Sequence, residues 1–239
     1  MKSIAIIPAR GGSKRLPRKN ILDLLGKPLL YFPITSASNS KLFDDIYVST
    51  DDKEIAEIAA SIGANVINRP KNISTDNATV VQACLHALEY LRPKKGLPDS
   101  FCCIYATAVF IVKSDLINSY NMMNSMPLAD FVIGVSDFNL QPMQALVEKG
   151  SYLIPKWPNL VSAQSQTQPN MVASNGTIYW ARTKKFLETK TFYGNKLKGF
   201  KISRIRAIDL DTLEDYELLK ILAPHILNKK LIQDYSSND

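Results

Sequence analysis

A short segment near the N-terminus combines adjacent glycines with a high density of positive charge. Gly11, Gly12 and Ser13 follow an apolar run, and most of the chain's net charge of +7 lies between positions 10 and 27. The cations there are Arg10, Lys14, Arg15, Arg18, Lys19 and Lys27. Adjacent glycines let backbone N–H groups converge on an anion, and nearby cations can neutralise a polyphosphate. The segment predicts a phosphate-binding loop, with a solvated basic turn as the alternative.

The spacing of this loop differs from the common nucleotide-binding loops. The sequence contains neither G-x-x-x-x-G-K-[ST] nor G-x-G-x-x-G, which argues against a Walker-type ATPase and against a dinucleotide dehydrogenase. It also lacks a G-x-S-x-G elbow and an H-E-x-x-H helix. Neither His86 nor His225 lies in a pattern suggestive of catalysis, so a hydrolase has little support.

Two aspartates near the C-terminus are the candidate metal ligands. Asp209 and Asp211 follow a predicted strand at 201–208, and the two-residue period of a strand would place both carboxylates on one face. Carboxylate pairs suit Mg²⁺, which also takes phosphate oxygens as ligands. The alternative is that Asp211 merely precedes a helix-capping sequence at 212–215. Together with the phosphate loop, the pair favours nucleotidyl transfer, in which a metal and cations offset charge on phosphates.

Alternating strands and helices must position these groups. Strands are predicted at residues 2–8, 45–49, 64–67, 101–105, 130–135, 176–180 and 201–208. Helical spacing of apolar residues follows most of them, at residues 28–34, 55–62, 80–88, 114–123 and 216–222. This alternation indicates an α/β fold with a Rossmann-like, doubly wound, mostly parallel sheet.

Residues 137–172 break that rhythm. They contain four prolines and many Gln and Asn residues, and their polarity alternates only weakly, around positions 143–154. We therefore expect an inserted arm or β-ribbon within a single domain that spans residues 1–239.

The composition indicates a soluble globular protein, with 46% hydrophobic and 21% charged residues. The longest apolar runs are too short to span a membrane, which predicts a cytoplasmic protein without a membrane partner. Cys84, Cys102 and Cys103 lack disulfide or zinc spacing and are predicted to be buried, reduced thiols. The aromatic residues are not interleaved with the basic loop, so no nucleic-acid partner is expected.

Taken together, the motifs resemble the CMP-sialic acid synthetase family. The resemblance rests on I-I-P-A-R-G-G-S-K-R-L-P-R-K-N at 6–20, G-K-P-L at 26–29, V-S-T-D-D at 48–52, R-P at 69–70 and I-D-L-D-T-L-E-D at 208–215. It spans nearly the whole chain. The run Y-A-T-A-V-F at 105–110 is most similar to the pseudaminic acid cytidylyltransferase branch, because other branches tend to carry glutamine at position 105.

The resemblance implies a fold of the nucleotide-diphospho-sugar transferase type and a reaction. CTP and a nonulosonic acid would give a CMP-sugar and pyrophosphate, through attack of the anomeric hydroxyl on the α-phosphate. Arg10, Lys19 and Asp211 would be catalytic, and Asp209 and Asp211 would hold Mg²⁺. Residues 137–172 correspond to the arm through which family members form homodimers.

The resemblance also implies two sets of binding residues. The nucleotide would be held by Arg10, Gly11, Gly12, Ser13, Lys14, Lys19, Asn20, Arg69, Asp76, Ala78 and Thr79. Candidate contacts to the sugar acid are Tyr105, Thr107, Gln141, Gln144 and Asn175, although each of these polar residues could equally be structural.

The sequence departs from the family pattern at two places. Val109 stands where a proline is usual, and A-Q-S-Q-T at 163–167 takes the place of an arginine-containing R-x-Q-D stretch. That arginine would be a candidate for holding the sugar carboxylate. The identity of the acceptor therefore stays open.

Two other functions also stay open. One is a nucleotidyltransferase for another sugar acid, such as the eight-carbon Kdo, or for a sugar phosphate. The other is a basic nucleotide- or RNA-binding module that has lost catalysis, against which the intact pair of Asp209 and Asp211 argues.

Overall fold

The computed structural model describes residues 3–161 and 170–235. Its strands are β1 (Ser3–Pro8), β2 (Asp23–Leu24), β3 (Lys27–Pro28), β4 (Asp45–Thr50), β5 (Asn65–Asn68), β6 (Ser100–Ile104), β7 (Phe131–Asp137), β8 (Leu146–Lys149), β9 (Tyr152–Pro155), β10 (Val172–Arg182) and β11 (Leu197–Lys201). Its α-helices are α1 (Tyr31–Ser40), α2 (Lys53–Ser61), α3 (Val80–Lys95), α4 (Lys113–Asn124), α5 (Pro158–Val161), α6 (Thr183–Thr189) and α7 (Leu213–Tyr235).

One large sheet organises the molecule. Within the described ranges it has seven strands, in the order β11-β7-β10-β6-β1-β4-β5. Strand β10 is antiparallel to both β6 and β7, and the other neighbouring pairs are parallel. The prediction of an α/β, Rossmann-like and mostly parallel sheet is confirmed.

Helices cover both faces of this sheet, which makes it doubly wound. Ala5 and Ile7 of β1 pack in one core cluster with residues of α1, α2 and α4. Ile4 and Ile6 face the other way, into a cluster with residues of α3 and α6. Such burial on both faces explains why β1 reads as a continuous apolar run.

A third core cluster ties the ends of the chain together beside the sheet. It buries Leu16 from the segment after β1, Phe110 from the segment after β6, and Leu210 from the segment before α7. Leu219 and Ala223 of α7 close this cluster. The packing therefore fixes the basic segment next to the two aspartates, although nearly two hundred positions separate them in sequence.

The predicted β-ribbon is present, and one predicted strand is wrong. Strands β8 and β9 form an antiparallel hairpin inside residues 137–172. In place of a strand over 201–208, β11 ends at Lys201 and a 3₁₀ turn spans Arg204–Arg206. The physical reason is a long-range contact: Arg206 in this turn donates to Asp115 and to the carbonyl of Phe110, which holds the segment away from a strand path.

Two further expectations concern the cysteines and membranes. Cys84, Cys102 and Cys103 are all buried and unbridged, as predicted. Among the described residues, no helix has the length and apolar character needed to cross a bilayer.

Candidate functional site

Most of the predicted site residues lie at the carboxyl edge of the parallel strands. Strand β1 lies between β4 and β6, so the strand order reverses at this position. In open α/β sheets, ligands bind in the crevice outside such a reversal. Because β10 is antiparallel, its amino-terminal half reaches the same edge.

A cleft of about 320 Å³ opens at this edge. Predicted residues from separate segments line it, namely Arg10, Lys19, Asn20, Arg69, Ala78, Thr79, Tyr105, Thr107, Asp209 and Asp211. A larger groove of about 760 Å³ lies beside α1 and α2, but it gathers none of the predicted residues. The smaller cleft is therefore the candidate site.

Hydrogen bonds and ion pairs hold the basic segment against the start of α2. The Gly11 N–H donates to Asp51 Oδ1 at 3.0 Å. A Cβ on Gly11 would lie 2.7 Å from the Cβ of Asp52, so only glycine allows this approach. Arg18 donates to Asp52 at 2.7 Å and also pairs with Glu54. Asp52 caps α2 by accepting from the Ile55 N–H at 3.0 Å.

Two cations of the segment, Arg10 and Lys14, converge on Asp76. Arg10 Nη1 lies 2.7 Å and Lys14 Nζ 2.8 Å from its carboxylate. Hydrogen bonds from Lys14 and Arg10 lower the pKa of Asp76. A Cβ on Gly12 would meet open space, and Ser13 is half-buried, so the apex of the loop is accessible to a ligand.

Two other cations of the segment, Lys19 and Arg15, contact Asp211. Lys19 Nζ donates to Leu210 O at 3.0 Å and to Asp211 Oδ1 at 3.1 Å. Arg15 Nη2 donates to Asp211 Oδ2 at 2.6 Å. Partial burial opposes ionisation of Asp211, but the hydrogen bond and charge of Lys19, with the charge of Arg15, outweigh it and lower the pKa. Asp211 is therefore an ionised carboxylate in a cationic surrounding.

The pKa of Asp209 shifts in the opposite direction from that of Asp211. Burial raises its pKa first, and the charge of Asp211 raises it further, so the pair carries negative charge that a cation would relieve. Two hard carboxylates suit Mg²⁺. No group of three or more His, Cys, Asp or Glu side chains within residues 3–161 and 170–235 could hold a metal. The pair fits the ion only if a substrate supplies further oxygen ligands.

The helix-capping sequence predicted at 212–215 is present, and Thr212 and Asp215 form the cap. Asp215 accepts hydrogen bonds from the backbone N–H groups of Asp211 and Thr212, at 3.0 and 2.7 Å. Thr212 Oγ1 accepts from the Asp215 N–H at 3.2 Å in return. The Asp211 carboxylate is thus left to face Lys19 while its backbone is fixed by the cap.

Arg69 forms an unusual part of the wall. It is only 7% exposed, and burial lowers the pKa of its guanidinium. Its Nε and Nη2 have no hydrogen-bond partner among the described residues. Buried polar groups are normally paired, and a charged one above all. Because Arg69 also lines the cleft, it is a candidate hydrogen-bond donor to a ligand there.

The far wall of the cleft is aromatic and hydroxylic. Tyr105 stacks on Tyr179 with ring centroids 5.4 Å apart, and Tyr179 shares a hydrogen bond of 2.8 Å with Ser174 Oγ. Burial raises the pKa of Tyr105, which keeps its phenol neutral. Thr107 lines the same wall.

Three predicted acceptor contacts lie outside the lining of this cleft. Asn175 sits beside it, where its Nδ2 donates to Ser136 Oγ at 3.0 Å. Gln141 and Gln144 are exposed at the base of the β8–β9 hairpin. The altered stretch at 163–167 lies outside the described residues.

Sequence reasoning missed an ion pair that joins two walls of the cleft. Arg206 Nη1 donates to Asp115 Oδ1 at 3.3 Å, and its Nη2 donates to Phe110 O at 3.0 Å. Asp115 also accepts from the Val112 N–H at 2.9 Å, at the start of α4. The pair bridges the segment that carries Asp209 and the segment that follows Tyr105. No local motif signals it, since its partners are 91 positions apart.

Comparisons with known proteins match most of the chain. A family model described as cytidylyltransferase matches residues 4–222. A pseudaminic acid cytidylyltransferase of Campylobacter jejuni is 35% identical, over 93% of this chain and 96% of the relative. A CMP-N,N'-diacetyllegionaminic acid synthase of Legionella pneumophila is 31% identical, over 93% of this chain and 96% of the relative.

A solved structure has the same fold at low sequence identity. It is a CMP:2-keto-3-deoxy-manno-octonic acid synthetase in complex with CTP, and it superposes with a TM-score of 0.70 at 16% identity. The match covers 94% of this chain and 99% of the solved one.

Proposed function

The chain belongs to the cytidylyltransferase family, and we propose that it transfers the cytidylyl group of CTP to a nonulosonic acid, releasing pyrophosphate. The similarity to cytidylyltransferases for pseudaminic and legionaminic acids supports this acceptor class. One observation carries the proposal: the cationic loop, the partly unpaired guanidinium of Arg69 and the Asp209–Asp211 pair line or border a single cleft. Pseudaminic acid is our first choice of acceptor.

The loop after β1 would hold the triphosphate. Gly11, Gly12 and Ser13 would present backbone N–H groups, and Arg10 and Lys14 would move from Asp76 to the phosphates. An exposed ion pair is weak, so exchanging it for a phosphate contact costs little. This exchange would leave Asp76 at the rim of the nucleotide site.

The cytosine and ribose would lie toward the start of α3. Ala78, Thr79 and Asn20 all line the cleft. Asn20 is fixed by a hydrogen bond from its Nδ2 to Arg10 O at 2.9 Å. The unpaired N–H groups of Arg69 would find acceptors on the nucleotide.

The chemical step is a single displacement at phosphorus. The anomeric oxygen of the sugar acid forms a bond to the α-phosphorus, and the bond from that phosphorus to the bridging oxygen of pyrophosphate breaks. The hydroxyl proton passes to a carboxylate, for which Asp209 and Asp211 are the candidates. Lys19 and Arg10 would stabilise the charge that develops on the phosphate oxygens.

Asp209 and Asp211 would hold Mg²⁺ together with phosphate oxygens of CTP. The bound ion supplies electrostatic stabilisation of the phosphates and a template for in-line attack. Binding requires that Arg15, whose side chain is 67% exposed, release the Asp211 carboxylate. The released guanidinium would lie within reach of the same phosphates.

We also propose that two copies associate through the arm. Both strands of the hairpin are exposed along nearly their whole length, and their apolar side chains include Tyr152, Leu153 and Ile154. Neighbouring exposed apolar side chains of this kind support an interaction site. Since CTP is a cytoplasmic metabolite and the three thiols are unbridged, the reaction would take place in the cytoplasm.

The test offers the purified protein CTP, Mg²⁺ and four acceptors in parallel: pseudaminic, legionaminic and N-acetylneuraminic acids, and Kdo. Pyrophosphate release is measured for each, and again for competing pairs. We expect the largest kcat/KM with a nine-carbon acid. A preference for Kdo or for a sugar phosphate would contradict the acceptor class, and CTP binding without release for any acceptor would favour a binding module.

A further inference from the structure

An irregularity in β10 brings backbone to the edge of the cleft. The register between β10 and β7 shifts between Ser174 and Tyr179, which indicates a bulge at residues 175–178. Bulges of this kind re-aim a strand next to a site. Here the bulge directs the strand toward the cleft wall formed by Tyr105.

A chain of polar contacts fixes the bulge. Thr177 Oγ1 donates to Asn175 Oδ1 at 2.6 Å, Asn175 Nδ2 donates to Ser136 Oγ at 3.0 Å, and Ser136 Oγ donates to Ile202 O at 2.6 Å. Gly134 of β7 leaves the room for it, since a Cβ there would lie 2.4 Å from Thr177 Oγ1. The bulge is therefore a built feature, held from both neighbouring segments.

Gly176 stands at its tip. Its φ is +65°, and a methyl group on its Cα would lie 3.6 Å from Tyr105 Cε2 and 4.0 Å from Asp209 Oδ1. These are ordinary van der Waals distances, so a side chain there would fill the space between Tyr105 and Asp209 without a clash. Glycine leaves that space free.

The proposed acceptor has a particular need for such space. A nonulosonic acid reacts as a cyclic hemiketal, whose anomeric carbon bears the hydroxyl, a carboxylate, the ring oxygen and a ring carbon. Because that carbon carries no hydrogen, all four of its substituents are bulkier than a hydrogen atom. The reacting hydroxyl must nevertheless approach the carboxylate that takes its proton.

We propose that Gly176 is a specificity-determining residue that admits the fully substituted anomeric centre of the acceptor between Tyr105 and Asp209. This inference rests on the proposed function. It predicts that a side chain at position 176 hinders binding of the sugar acid and leaves CTP affinity nearly unchanged, because the cytosine and ribose would lie toward the start of α3.

The experiment compares Gly176→Ala with wild type in two measurements: kcat/KM for the preferred sugar acid at saturating CTP, and the Kd of CTP by calorimetry. One methylene more or less in a substrate pocket changes discrimination by about 10- to 200-fold, and we expect a loss in kcat/KM of that order. The Kd of CTP should stay within about twofold of wild type, a difference well below the tenfold that corresponds to 1.4 kcal/mol.

Backbone strain at a positive φ needs its own control. Gly26 has a φ of +76° and no atom within 4 Å of a Cβ, so Gly26→Ala introduces similar strain with no occupied gap. We expect it to lower Tm about as much as Gly176→Ala does while kcat/KM stays unchanged. If Gly176→Ala folds poorly, Gly176→Asn provides the second variant, because asparagine tolerates the left-handed region.

The outcomes separate the two proposals. Wild-type kcat/KM in Gly176→Ala or Gly176→Asn would overturn the role of Gly176 and leave the proposed function intact, as would an equal loss of CTP affinity. Failure of the wild-type protein to turn over any sugar acid would overturn the proposed function itself, and this inference with it.

Discussion

The cleft and the arm depart from an ordinary protein surface in opposite ways. In the cleft, a charged side chain is buried: Arg69 is only 7% exposed, and two of its nitrogens lack partners among the described residues. In the arm, apolar side chains are turned outward, with Tyr152 79% and Leu153 61% exposed. Burying an unpaired charge and exposing apolar surface both disfavour the isolated chain.

The two regions therefore lack different binding partners. The cleft offers hydrogen-bond donors, so an anion with several acceptor oxygens would complete it. The arm offers apolar side chains on both faces of a two-stranded ribbon, so a second apolar surface would cover them, and we propose that a second copy of the chain supplies it. Substitutions that act on one region and spare the other test this division.

The largest effect is expected from Asp211→Asn. Loss of the carboxylate removes a ligand of the proposed metal ion, and turnover should fall by about 100- to 1000-fold, as for other groups that stabilise transition-state charge. CTP binding without metal should persist or tighten, because Lys19 and Arg15 are released from their carboxylate partner. Pyrophosphate release and calorimetry measure the two effects. Glu57→Gln, on the exposed face of α2, is the matched control and should change neither.

Arg69→Met should separate binding from stability. The Kd of CTP is expected to rise by about 100-fold, since hydrogen bonds to a charged donor contribute roughly 1.5–3 kcal/mol. Thermal stability without ligand should stay equal or increase, because a buried, unpaired charge is replaced by an apolar chain of similar length. Melting curves with and without CTP measure both. A large loss of stability without CTP would show that Arg69 serves the fold rather than the ligand.

Leu153→Glu acts on the arm alone. A charge on this apolar ribbon should weaken the proposed homodimer by about 30-fold, the value for losing about 2 kcal/mol at an interface hot spot. Tm at concentrations where both proteins are monomeric should not change. Sedimentation equilibrium gives the dissociation constant. The control is Met126→Glu, at a residue 84% exposed outside the arm, and an equal effect there would contradict the assignment of the arm.

The smallest effect is expected from Asp52→Asn, because the Asp52 carboxylate is already paired with Arg18 and lies outside the lining of the cleft. Arg18 lowers the pKa of Asp52, so the carboxylate adds stability that is present above the usual Asp pKa and is lost as pH falls through the lowered one. The pair is partly exposed, and the difference should be about 0.5 kcal/mol at pH 7. Denaturant titrations at several pH values test whether the difference from wild type disappears in acid. CTP turnover should be nearly unchanged.

Much of the fold could be predicted because the local signals agree with the packing. The buried strands β1 and β6 are apolar runs, and α2 begins at its capping aspartate, Asp52. The arm was recognisable because its polarity and prolines interrupt the strand–helix rhythm. The strand at 201–208 was mispredicted because the inward turn of Arg206 toward Asp115 is a long-range contact that no local pattern encodes.

The candidate site divides in the same way. The cationic loop and the aspartate pair are local motifs and were visible in the sequence, and the cleft brings Lys19 and Asp211 within 3.1 Å. The absence of partners around Arg69 and the gap beside Gly176 depend on residues from distant segments. Such features follow from packing, and sequence spacing alone could not predict them.

The most direct test of the central claim is the product of one reaction, with CTP, Mg²⁺ and pseudaminic acid as the acceptor. Mass spectrometry and a pyrophosphate assay would follow both products over time. The account predicts one CMP-sugar acid for each pyrophosphate released, and no pyrophosphate when the acceptor is omitted. Pyrophosphate without a CMP-sugar acid, or bound CTP that stays intact with pseudaminic acid and with every other nonulosonic acid, would contradict it.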